Sequence, residues 1–261
     1  MLTRLIDVRN TAAANVNLKF ENCDKGIVSS AMPVKAKNLY LKDCLMGMMN
    51  ALTDGRQYDI QENTLQNSFI GIQLLNDVGT SIVKHNTINI DVTGIASGLY
   101  TLLWPIGIDV KYFSNLNPKT LIIEDNPITL NGYSGIGINL ANTSANTNAY
   151  KNHIYLTNTE GTIICANFGG LNGINATNVK ASKMEGNHVN GNANLLIPAR
   201  EDIAGIYLNK STYNELHCNF VNNTRFGIMA QANCLTNPDA VKGNSLFNHV
   251  LGWVFRKLGP E

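Results

Sequence analysis

The chain has 261 residues, of which 20 are basic and 19 acidic, giving a formal net charge of +1. That length can bury a substantial core, and evenly scattered charge with no basic stripe argues against nucleic acid as the main partner. No apolar run long enough for a membrane span and no secretory signal are present, so the chain reads either as cytosolic or as a piece of something longer.

Charged residues number 39, yet asparagine alone supplies 38. Asparagine tolerates the left-handed backbone region and bonds to nearby main chain, so it favours turns and disfavours helix interiors. Together with Gly, Val and Ile it predicts many short strands joined by many turns. The five cysteines (Cys23, Cys44, Cys165, Cys218 and Cys234) form no CxxC pair. Their scatter fits small buried residues better than a disulfide framework or a zinc site.

Two strings recur along the chain. Glycine followed by a large apolar residue falls at Gly26, Gly47, Gly71, Gly107, Gly137, Gly173, Gly205, Gly227 and Gly252, at spacings of 21, 24, 36, 30, 36, 32, 22 and 25. The alternation continues at Leu74, Val110, Leu140, Ala176, Leu208, Ala230 and Phe255, the in–out pattern of a strand. Upstream lies a second string, apolar-x-x-Asn-x-apolar. It reads IQENTL from Ile60, VKHNTI from Val83, IEDNPI from Ile123, MEGNHV from Met184, LHCNFV from Leu216 and VKGNSL from Val241, with AYKNHI from Ala149 a weaker copy. Apolar residues three before and two after an asparagine cannot share one face of a straight strand, so the chain must bend there. In the compact units a further bend residue stands four places before the glycine: Asn22, Asp43, Asn67, Asn223 and Asn248.

A unit of 21–25 residues with three short strands and two or three bends is one coil of a parallel solenoid. The pattern resembles the right-handed parallel β-helix repeat, the fold of pectate lyases, polygalacturonases, phage tailspikes and many bacterial surface proteins. The resemblance implies an all-β, right-handed parallel β-helix solenoid of about nine coils, a single domain over residues 1–261. Stacked asparagine ladders are a habit of that fold, and Asn63, Asn86, Asn126, Asn152, Asn187, Asn219 and Asn244 are the expected rungs. Each amide can donate to and accept from its copy ~4.8 Å away. A leucine-rich repeat would need several leucines at fixed offsets and a helical segment per unit, and a β-sandwich does not explain one string recurring.

Variation between coils marks where function could sit. The distance from bend asparagine to glycine is 8 in the third, eighth and ninth coils but 21, 11, 21 and 18 in the fourth to seventh. The additions are DVTGIASGLYTLLWP (91–105), NGYS (131–134), NTEGTIICANFGGLN (158–172) and NGNANLLIPARED (190–202). All are expected on one edge of the solenoid, forming a wall beside the Gly-Ile strands or merely covering a sheet. Outward residues on those strands would be Gln73, Asp109, Asn139, Asn175, Tyr207 and Met229, with Lys111, Thr177, Asn209, Gln231 and Arg256 as a second row. Amides, a hydroxyl and an aromatic ring in a row suit glycan binding as well as a plain solvated face.

Catalysis has less support. The NTD, DD, GHG and RIK strings by which polygalacturonases resemble one another do not occur, and hydrolysis needs two facing carboxylates where the outward strip offers only Asp109. Pectate lyases combine a carboxylate cluster for calcium with a basic residue. The nearest approach is Asp109 with Lys111, joined by Glu201 and Asp202 from a later wall. Three coils at ~4.8 Å each would put Asp109 roughly 14 Å from Tyr207. His85, His153, His188 and His217 ride beside bend asparagines on different coils and His249 beside Asn248, with no metal-ligand spacing.

The sequence therefore predicts a non-enzymatic binding or scaffold module of a secreted or cell-surface bacterial protein. Its expected ligand sites are Gln73, Asp109, Asn139, Asn175 and Tyr207, its partner a polysaccharide or other surface component, and its cofactor none. The alternative is a polysaccharide lyase or hydrolase acting on an acidic polysaccharide, with Ca²⁺ if a lyase, and the third reading is a spacer stalk. Large apolar residues at the last coil, with Trp253 and Phe255 as a plug, fit a fragment of a longer chain or end-to-end self-association.

Overall fold

Each recurrent string folds as strands meeting at corners. In the third coil the strands are Tyr58–Gln61, Thr64–Gln66 and Ile70–Leu75, and the next coil repeats them as Ser81–Lys84, Thr87–Asp91 and Ile106–Lys111. The computed structural model describes residues 6–9, 18–30, 32–51, 57–75, 80–91, 104–111, 120–132, 134–143, 147–157, 170–192, 203–232, 234 and 240–256. Every strand pairs in parallel with its counterpart one coil away, giving three sheets of nine strands each. The molecule is an all-β, right-handed parallel β-helix of nine coils. No helix among the described residues is long and apolar enough to cross a membrane.

The core is a set of stacked columns. In the third sheet Ile72, Ile108, Ile138, Ile174, Ile206 and Ile228 stand in register, all 0% exposed. Burying each such side chain contributes about 1.5–3 kcal/mol. The same register sets the glycines. A Cβ on Gly137 would lie 2.6 Å from the Gly173 carbonyl oxygen and 2.7 Å from Ile154 Cγ2. Close approach of one coil's backbone to the next, and not a special φ, therefore demands glycine there.

At the corner between the first and second sheets the asparagine ladder forms as the sequence predicts. The Asn126 amide donates to the Val83 carbonyl at 3.1 Å and to Asn152 Oδ1 at 2.9 Å. Its own Oδ1 accepts from the Asn86 backbone N–H at 2.9 Å and the Asn86 amide at 3.0 Å. The pattern runs from Asn63 to Asn244, and in the second coil Leu39 takes the rung position, its N–H donating to Asn63 Oδ1. A buried polar group left without such partners would cost about 1–3 kcal/mol.

The left-handed residue at this corner is the one before each asparagine: Glu62, His85, Asp125, Lys151 and Cys218, with φ between 50° and 56°, and Gly186 and Gly243. The asparagine supplies the bonds and its predecessor supplies the bend. At the second corner Asn22, Asp43, Asn67, Asn223 and Asn248 are themselves left-handed, φ 52–54°. A third corner, which the recurrent strings do not mark, is tied in the later coils by Ser211 accepting from the Val179 N–H and by Asn214 accepting from the Ser182 N–H.

Among the described residues, core-column positions of the last strand, Leu251–Arg256, are exposed. Trp253 stands over Ile228 and Phe255 over Ala230, 38% and 65% exposed, and the two rings stack on each other with centroids 5.9 Å apart.

Candidate functional site: a cavity on the third sheet

Each long insertion joins a strand of the second sheet to the next strand of the third: Thr87–Asp91 to Ile106–Lys111, Pro127–Asn131 to Gly135–Ala141, His153–Thr157 to Leu171–Thr177, and His188–Gly191 to Ile203–Asn209. All four thus leave and re-enter the solenoid at the same corner. Most of their residues, Glu201 and Asp202 included, lie outside the described residues.

The two outward rows hold the expected register. Gln73, Asp109, Asn139, Asn175, Tyr207 and Met229 are consecutive partners across the third sheet, as are Lys111, Ala141, Thr177, Asn209, Gln231 and Arg256. Their surroundings divide the first row in two.

In the lower half, Gln73, Asp109 and Asn139 are buried although they face outward. The fully buried Asp109 carboxylate accepts from Gln73 Nε2 at 2.8 Å, from Asn139 Nδ2 at 2.7 Å and from Lys111 Nζ at 2.9 Å. An ionised carboxylate only accepts, so both neighbouring amides must present their NH₂ groups to it. That turns Asn139 Oδ1 the other way, where it accepts from Asn175 Nδ2 at 2.6 Å. Asp109 thereby sets the polarity of the row and has its charge compensated in place, an arrangement suited to holding strands together.

The upper half borders a cavity of ≈ 290 Å³ lined by Asn175, Thr177, Tyr207, Met229, Gln231 and Arg256, with Trp104 among the other lining residues. The volume lies near the lower end of small-ligand sites, ~300–1,000 Å³. Tyr207 donates its hydroxyl to Gln231 Oε1 at 2.7 Å, which fixes the ring. Met229 packs on Ala204 and Phe226, and the Arg256 guanidinium sits 5.8 Å from the Phe226 ring centre. Trp104, 40% exposed, comes from the first insertion and stands immediately before Pro105 at the strand entrance. The sequence reading placed its insertion but not this ring; the signal was a lone tryptophan at the end of an added segment. Asn172, also a lining residue, was missed because it precedes the glycine anchor.

The cavity thus offers amides, hydroxyls, one cation and aromatic surface. Among the described residues lining it there is no carboxylate. A larger hollow of ≈ 440 Å³ lies against the first sheet, lined by residues including Lys35, Gln57, Asp59 and Thr80. Among its described lining residues the one aromatic, Tyr58, is 1% exposed and presents no ring for stacking, so the smaller cavity is the better candidate.

Other titratable groups among the described residues sit elsewhere. His85 pairs with Asp125 at 3.1 Å. His153 and His188 lie on consecutive coils with tilted rings, centroids 5.0 Å apart, and the row continues through Phe220 to Phe247, a surface ladder on the second sheet. His249 is held inside the second corner, with ring nitrogens 2.8 and 3.0 Å from the Thr224 and Val221 carbonyl oxygens. Burial raises the pKa of Tyr150, and the hydrogen bond to Glu215 raises that of Lys183. Among the described residues no group of three His, Cys, Asp or Glu side chains is placed to hold a metal ion. In comparisons with known proteins, no family model, no curated protein and no solved structure matches the chain.

Proposed function

We propose that the protein is a non-enzymatic carbohydrate-binding module of a secreted or cell-surface bacterial protein, with a glycan seated in the cavity between Trp104 and the third sheet. The observation that carries this reading is the lining: an indole and a phenol ring beside the amides of Asn175 and Gln231 and the hydroxyl of Thr177. Sugar rings present apolar faces for stacking and hydroxyl rims for hydrogen bonding, and this set of groups offers both. Asp109, Gln73 and Asn139 then serve as the support beneath the site. Kinship with pectate-lyase-like proteins is proposed at the level of the shared fold pattern alone. Among the described residues a lyase would have the Asp109–Lys111 pair to work with, and that carboxylate already accepts three hydrogen bonds.

Titration with a panel of neutral and acidic oligosaccharides tests the proposal, with saturable heat and no new reducing ends or unsaturated products expected. The exposed apolar side chains of Leu251, Trp253 and Phe255 suit end-to-end self-association. Light scattering should then give a mass above that of one chain, falling to the monomer value in Trp253→Ser/Phe255→Ser.

A further inference from the structure

Cys23 and Cys44 are 21 residues apart, which is also the spacing between Gly26 and Gly47. They therefore occupy the same place in consecutive coils. Each follows a left-handed residue, Asn22 and Asp43, and the neighbouring strands pair Phe20 with Leu41 and Glu21 with Lys42. Equivalent Cα atoms on adjacent parallel strands lie ~4.8 Å apart, inside the 4.4–6.8 Å window that a disulfide accepts. The two sulfur atoms are 2.8 Å apart, closer than unbonded sulfurs rest against each other. Cys23 stands in the first coil, whose strands pair on one side only among the described residues, and Cys44 in the second.

We propose that Cys23 and Cys44 form a disulfide that staples the first coil to the second, made by thiol–disulfide exchange with a small-molecule disulfide, RSSR. The Cys23 thiolate attacks one sulfur of RSSR, giving a mixed disulfide and releasing one RS⁻. Cys44, its proton passing to solvent base, then attacks the Cys23 sulfur, forms the Cys23–Cys44 bond and releases the second RS⁻. Two protein thiols become one disulfide while one RSSR is reduced to two RSH. The order follows from access, because Cys23 is partly exposed and Cys44 is buried. Burial, with the hydrogen bond to Cys23 adding to it, pushes the Cys44 thiol up to about 11, so the outer thiol supplies the first thiolate. An oxidising compartment would keep the staple closed.

The test uses the whole chain in a buffer of oxidised and reduced glutathione. The expected result is one intrachain cross-link joining the Cys23 and Cys44 peptides, a mass loss of about 2 Da with no glutathione retained, and a fall of two in the free-thiol titre of the denatured protein. Cys23→Ser, a change at a partly exposed site, should leave that titre unchanged by the treatment. A stable glutathione adduct on Cys23, or cross-links that leave this pair reduced, would overturn the proposal. Limited proteolysis should cut the first coil at least tenfold more slowly after oxidation, and an equal rate would deny the staple its structural role.

Discussion

Two corners of the same solenoid behave in opposite ways. At the corner between the first and second sheets every coil from the third onward has the same short turn, and the ladder amides from Asn63 to Asn219 are 0–1% exposed. At the corner between the second and third sheets the connection grows by up to 13 residues in four consecutive coils, and the cavity opens beside it. The difference is what each corner's hydrogen bonds require. A ladder amide needs its copy one strand spacing above and below, so an insertion there would orphan two neighbours at once. The second corner asks only for a left-handed residue, and a longer loop can stand in for it. Sequence freedom, and with it the proposed binding surface, collects where the backbone does not depend on register.

The comparison is broken most directly at the invariant corner. Asn126→Leu removes a rung and leaves the Val83 carbonyl and the Asn86 N–H without partners, and two or more such groups should cost about 4 kcal/mol. Denaturant unfolding measures it. A loss below about 1 kcal/mol would mean that the ladder is incidental to stability.

A smaller effect separates the two halves of the outward row. Asp109→Asn puts an NH₂ against either the Asn139 donor or those of Gln73 and Lys111, and should destabilise by about 2 kcal/mol while leaving oligosaccharide affinity within about twofold. A selective loss of affinity would move the site onto the buried half. Smallest is the surface pair Lys183–Glu215, 3.1 Å apart and largely exposed. Glu215→Gln should cost less than about 0.5 kcal/mol. Because Glu215 raises the Lys183 pKa, the contribution is fully present at neutral pH and is lost only as pH rises through that raised lysine value. A stability difference between the variants that instead grows above that pH would contradict the assignment.

Much of the fold was legible because its constraints are local and repeated. Gly137 cannot bear a Cβ in any coil of this geometry, so the glycine recurs; Asn126 must pair with a copy of itself, so the asparagine recurs. The left-handed turn on Glu62, His85 and Lys151 was not legible, since no residue type repeats there and the bend is imposed by the ladder beside it. The outward direction of Gln73, Asp109 and Asn139 followed from alternation, but their burial did not, because alternation gives the face of a strand and not what lies over it. Trp104 was hidden for a related reason: it sits in an added segment with no repeat to align it. The Cys23–Cys44 pair was legible and passed over, its spacing of 21 being that of the first two glycines.

The central claim is that the variable corner binds a glycan without turning it over. Calorimetric titration of the protein and of Tyr207→Ala with the same oligosaccharides tests it, with melting temperatures taken in parallel. The account predicts saturable binding without product, weakened at least tenfold, about 1.4 kcal/mol, in Tyr207→Ala, while the melting temperature stays within a few degrees. Equal affinity in the two proteins, no binding to any of the panel, or cleaved sugar in the cell would contradict it.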